Sequence, residues 1–160
     1  FFMYNERMVS HSALETKKIA AELAHKILRQ RPRQKHARVI ALAGELGAGK
    51  TTFVQGFAKA LGIKQRMVSP TFLIFRNYKI PSNQVTNNKA THLYHVDAYR
   101  INFVKELAAL GFKKILSESK NIVLIEWAEK IKKVLPKGTI WISFGHGERE
   151  NERTIRTSNY

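Results

Sequence analysis

The 160-residue chain contains no cysteine. Disulfide staples and thiolate metal sites are thereby excluded, and a reducing, cytoplasmic setting is the expectation. Proline is scarce, with four in the chain, and no apolar run approaches the roughly 20 residues that a membrane-spanning helix needs. Acidic residues are also few: 12 Asp and Glu stand against 28 Lys and Arg, for a formal net charge of +16. Such an excess draws a protein toward RNA, acidic protein surfaces or anionic membranes. The basic residues are dispersed, however, and densest in RQRPRQKHAR, Arg29 to Arg38, without interleaved aromatics or a nucleic-acid signature. An RNA-friendly surface and a merely solvated basic exterior therefore stand level. No internal repeat or low-complexity tract is present, and the opening FFMY is too short for a signal peptide. The expectation is one domain over 1–160, with 1–11 and 158–160 as loosely ordered tails.

What the chain does have is GELGAGKTT, Gly44 to Thr52, set between the apolar run VIALA and the helical pattern FVQGFAKAL. Gly44 to Thr51 spells G-x-x-x-x-G-K-[ST], the phosphate-binding loop. Glycines let successive backbone N–H groups point inward as a nest for phosphate oxygens, and the helix that follows adds its unpaired N–H groups and positive dipole end. The backbone of Glu45, Leu46, Gly47, Ala48 and Gly49, with Lys50, Thr51 and Thr52, is thus the candidate nucleotide-binding set. Lys50 reaches the outer phosphates as a point charge, and the Thr51 hydroxyl is short enough to ligate magnesium. A nucleoside polyphosphate with Mg2+ is the ligand this combination selects.

Along the rest of the chain, Ser12 to Arg29 reads as an amphipathic helix with a capping box at Ser12 and Glu15 and an apolar stripe of Leu14, Ile19, Leu23 and Ile27. The loop helix runs to about Leu61. Strands are expected at the end of Met67 to Tyr78, at HLYHVDAY, at NIVLIEW, at TIWISF and at RTIRT. Short helices are expected at 103–110 and 113–116, with another over AEKIKKVL. Ile80 to Thr91 is polar and turn-rich. Strands alternating with helices predict an α/β fold: a mixed, mainly parallel P-loop NTPase-type sheet flanked by helices, with an antiparallel portion where strands follow one another directly. Ligands of such sheets sit at the carboxyl ends of strands.

Two carboxylates stand at such ends. IVLIE places Glu126 after four apolar residues, the form of a second phosphate-site motif, where it serves magnesium directly or through water. HLYHVD ends in Asp97, which could orient an attacking water or share the outer shell of the metal. SPT, Ser69 to Thr71, falls where nucleotide switches place a threonine that senses the terminal phosphate.

Taken in order, GELGAGKTT, SPT, YHVDAYR and IEW, with KELAALGF, resemble the bacterial TsaE (YjeE) family, the ATPase of tRNA threonylcarbamoyladenosine biosynthesis. The resemblance runs from Ser12 to about Phe144. It implies ATP or ADP with Mg2+ as ligands, Lys50 and Thr51 on phosphate and metal, Thr71 as a switch, Asp97 as catalytic and Glu126 as metal-serving. It also implies weak hydrolysis stimulated by the partner proteins TsaB and TsaD, which act on adenosine 37 of tRNA, and no membrane role. Trp127 matches the family's tryptophan, with packing at least as good an account of it as nucleotide contact. The tract 80–91 is longer than the family's, and the tail RENERTIRTSNY matches loosely. Two other functions fit parts of the pattern. A small-molecule P-loop kinase would use Asp97 as base and Arg100, Arg149 or Arg153 as phosphate clamps, yet 113–120 lacks the arginine of a kinase lid. A basic RNA-binding module without turnover would have no need of a magnesium site. A GTPase is disfavoured, since only NKAT approaches the guanine-reading pattern.

Overall fold

In the computed structural model, residues 6–30, 35–70, 73–84 and 90–159 are described. The apolar run Ile122 to Ile125 is buried to 0% exposure at every position, which requires cover on both faces of its strand. Because successive side chains of a strand point to opposite faces, Ile122 and Leu124 join one core and Val123 and Ile125 another. The result is three layers, with a sheet between two sets of helices.

The sheet is built from β1 (Arg7–Ser10), β2 (Arg38–Gly44), β3 (Phe75–Lys79), β4 (His92–Asp97), β5 (Asn121–Glu126), β6 (Ile140–His146) and β7 (Arg153–Asn159). Their spatial order is β1-β7-β6-β2-β5-β4-β3. The central strands β6, β2, β5 and β4 run parallel. At the edges, β3 is antiparallel to β4, β7 to β6, and β1 to β7. The expected α/β architecture with an antiparallel portion is therefore present.

One helical layer is α1 (Ala13–Arg29) with α2 (Lys50–Ala60). Ser12 caps α1, its hydroxyl accepting the Glu15 N–H at 3.1 Å, while the Glu15 carboxylate accepts the His11 N–H at 2.7 Å. The buried stripe is Thr16, Ala20, Leu23, Ala24, Ile27 and Leu28. Leu14, expected in that stripe, is 64% exposed. The two helices nearly touch: a Cβ on Gly56 of α2 would lie 2.6 Å from the Lys17 Cα and carbonyl oxygen. The other layer is α3 (Val104–Ala109), α4 (Phe112–Ser117) and the segment Ala128–Val134.

Two expectations are corrected and a third is made more specific. Residues 7–10, inside the expected N-terminal tail, form an edge strand paired from Arg7↔Arg156 to Ser10↔Arg153, and β7 runs to Asn159, taking in 158–159 of the expected C-terminal tail, while 1–5 and 160 lie outside the described residues. The helix expected over AEKIKKVL is present as a 3-10 helix, Ala128–Val134, with a break at Ile131 (φ −121°). That tighter winding stacks residues three apart, which seats Ala128 and Ile131 together in the core. No helix among the described residues is long and apolar enough to cross a membrane.

Candidate phosphate-binding site

Strand β2 ends at Gly44 and α2 begins at Lys50, so the loop between them projects from the carboxyl end of the central parallel strands. Gly49 takes the N-cap position with φ 104°, a left-handed conformation that a side chain would strain. No side chain caps this helix, which leaves its first-turn N–H groups to a ligand. Gly47, Gly49, Lys50, Thr51, Thr52 and exposed Leu46 line an adjoining cleft of about 640 Å³. That volume is in the range of small-molecule and cofactor sites. The Ala48 side chain is buried in the core, so only its backbone is available to the loop. Glu45 contributes a carbonyl.

Lys50 lies along the floor of the cleft. Its ammonium donates to the carbonyls of Gly44 (2.6 Å) and Glu45 (2.8 Å) and sits 3.8 Å from the centroid of the Trp127 ring. Burial pushes its pKa below the ordinary lysine value, with Glu126, Glu129 and Asp97 pulling in the opposite direction. The side chain is thus a desolvated cation on neutral acceptors, a poise that favours an incoming anion.

The two strand-end carboxylates are directly paired in the β4–β5 ladder, Asp97 opposite Glu126. Glu126 is 3% exposed and faces α2, where its Oε2 accepts the Thr51 hydroxyl at 2.9 Å. Its Oε1 meets Nε2 of His95, itself fully buried, at 2.8 Å. Asp97 is half-buried at the cleft wall: its Oδ2 accepts the Ser69 hydroxyl at 2.5 Å and its Oδ1 the Tyr99 N–H at 2.9 Å. Both carboxylates are therefore held in fixed orientation. The Thr51 hydroxyl and Glu126 carboxylate are hard oxygen donors, the kind magnesium prefers. Among the described residues no cluster of three or more His, Asp or Glu could hold a metal. The donor set fits an ion that takes one or two protein oxygens and completes its shell with phosphate and water.

The structure thus brings Lys50, Thr51, Asp97 and Glu126 to one cleft, as the sequence predicts. Thr71, the expected switch residue, lies outside the described residues. Three side chains were given no part in the phosphate site by sequence reasoning. His95 stands two residues before Asp97, on the same strand face, and strand alternation was the signal that could have found it. Ser69 entered only as a member of the SPT motif that carries the expected switch threonine. Arg153, which figured only as a clamp in the kinase alternative, donates from Nε to the Gly47 carbonyl at 3.1 Å, tying the start of β7 to the phosphate loop. No local pattern signals that contact, because 106 residues separate the partners.

Comparison with known proteins gives a consistent result. A family profile described as "Threonylcarbamoyl adenosine biosynthesis protein TsaE" matches residues 10–155. The tRNA threonylcarbamoyladenosine biosynthesis protein TsaE of Bacillus subtilis is 39% identical over 125 residues, covering 76% of this chain and 72% of that protein. Its counterpart of the same description in Rickettsia bellii is 33% identical over 142 residues, covering 88% and 87%. The crystal structure of Bacillus subtilis YdiB superposes with a TM-score of 0.71 at 30% identity, covering 98% of this chain and 86% of that one.

Proposed function

Because this chain belongs to the TsaE family of tRNA threonylcarbamoyladenosine biosynthesis, we propose that it is a magnesium-dependent ATPase. Its nucleotide cycle would serve the TsaB and TsaD proteins in modifying tRNA. The observation that carries the ATPase reading is the joining of Lys50, Thr51, Asp97 and Glu126 around a single cleft beside an uncapped helix N-terminus. A binder of nucleotide alone has no use for two oriented carboxylates.

Each residue has a distinct task. The loop N–H groups and the dipole of α2 receive the phosphate chain. Lys50 exchanges two carbonyl acceptors for ionised phosphate oxygens, which make stronger hydrogen bonds. Thr51 and Glu126 would hold magnesium, which when bound offsets the charge of the phosphate oxygens. Thr51 can keep donating to Glu126 while offering a lone pair to the cation, since a hydroxyl has one hydrogen and two acceptor sites. Asp97, with one lobe of each oxygen engaged by Ser69 and Tyr99, retains lone pairs to orient a water for in-line attack on the terminal phosphorus. The hydroxyl and N–H donors keep this carboxylate from swinging toward Lys50.

The test is magnesium-dependent ATP hydrolysis by the purified chain, alone and with TsaB and TsaD from the same source. Slow hydrolysis, stimulated by the partners and absent from Lys50→Ala, is the expected result. Turnover that survives in Lys50→Ala, or partners that neither bind nor stimulate, would refute the assignment.

A further inference from the structure

The Glu126 carboxylate has one neighbour that the phosphate chemistry leaves without a task. His95, on β4, is 0% exposed and its Nε2 lies 2.8 Å from Glu126 Oε1. An ionised carboxylate only accepts, so this contact assigns the ring proton to Nε2. The other nitrogen, Nδ1, is buried and has no hydrogen-bond partner among the described residues. Among the described residues the ring's single polar contact is the carboxylate that Thr51 also holds.

A buried imidazole with an unsatisfied nitrogen is costly, and an apolar residue of similar size would fill the same space without that cost. A carboxylate held by Thr51 alone could still rotate about its terminal bond. With donors arriving from α2 and from β4, its plane is fixed. Carboxylates and histidines at metal sites commonly depend on such supporting hydrogen bonds for their orientation.

We propose that His95 is a positioning residue for the magnesium–nucleotide site, its Nε2–H holding Oε1 of Glu126 so that the carboxylate is oriented with Thr51 for the cation. The proposal rests on the phosphate-site reading given above. It extends the role of β4, whose His95 and Asp97 lie on one face and serve the two carboxylate functions separately. His95 does not touch the reacting atoms.

The measurement is calorimetric titration of magnesium into the full chain saturated with ADP, paired with ADP titration in EDTA. His95→Asn, whose shorter amide falls short of the Nε2 position, should bind magnesium on the order of tenfold to a hundredfold more weakly than wild type. His95→Gln, whose amide nitrogen extends about as far as Nε2, should recover most of that loss. Magnesium-free ADP affinity should stay unchanged in both. Wild-type magnesium affinity in His95→Asn would overturn the proposal, as would a Gln variant as weak as Asn, or a matched loss of ADP affinity in EDTA. If the variants do not fold, nitrogen NMR of wild-type His95 still decides: Nε2 protonated with Nδ1 bare is required, and the opposite tautomer contradicts it. Failure of the wild-type chain to bind ADP under any condition would instead refute the phosphate-site reading itself.

Discussion

Trp127 is the one non-glycine residue with a positive φ among those described, at 58°. A bulky residue in the left-handed region costs on the order of 1 kcal/mol or more, so something must hold it there. Its ring sits against Lys50 on one side and 5.0 Å from the Tyr99 ring on another. The sharp backbone turn after Glu126 thus aims an aromatic face at the phosphate lysine, and the cation–π contact offsets part of the strain. Neither packing nor ligand contact alone describes this tryptophan. At Asp97 the chemistry is simpler to isolate. Asp97→Asn keeps the shape of the side chain and one acceptor oxygen but removes its charge. Single-turnover ATP hydrolysis should fall by about 10²–10⁴-fold, while Mg-ADP affinity measured by titration stays near wild type. Unchanged hydrolysis would remove Asp97 from the mechanism.

Among the elements, α2 carries the most information, because its uncapped N-terminus opens on the cleft while its body docks on α1. Sequence reasoning located its start at the loop glycines, where a motif of fixed spacing imposes one backbone. Of the expected α1 stripe, Leu23 and Ile27 are buried and Ile19 packs against the core, whereas Leu14, in the first turn, is exposed. Gly56→Ala would gain roughly 1 kcal/mol in helix propensity. Against that, its methyl would lie 2.6 Å from the Lys17 backbone, and overpacking of this kind costs about 1–3 kcal/mol or more. The clash is with backbone and cannot be relieved by a rotamer change, so the variant should be less stable, with its Tm lowered by a few degrees in calorimetry. A raised Tm would show that the helices can separate freely. Strand β1 was invisible in sequence because RMVS is only four residues long, and its pairing with β7 is non-local. The helix at Ala128–Val134 was legible but its 3-10 winding was not, because a polar, lysine-rich stretch satisfies helical propensity in either winding.

At the scale of the whole molecule, ligand binding and stability are linked. A ligand that binds only the folded chain, present at about 100 times its Kd, stabilises it by about 2.7 kcal/mol. For a protein of this size that corresponds to a rise in Tm of roughly 5–10 °C. Mg-ADP should produce such a shift in wild type and none in Lys50→Ala, a comparison made by differential scanning calorimetry. The sequence by itself determined the glycine loop between β2 and α2, the two strand-end carboxylates and the α/β class, because each is encoded by local spacing: a fixed run of glycines, or an apolar run closed by an acid. Only the tertiary structure decided which groups surround them. His95 on Glu126, Ser69 on Asp97, Trp127 beneath Lys50 and Arg153 on Gly47 are contacts between distant segments. They exist because parallel strands bring their carboxyl ends to one edge, and no local pattern records which side chains meet there.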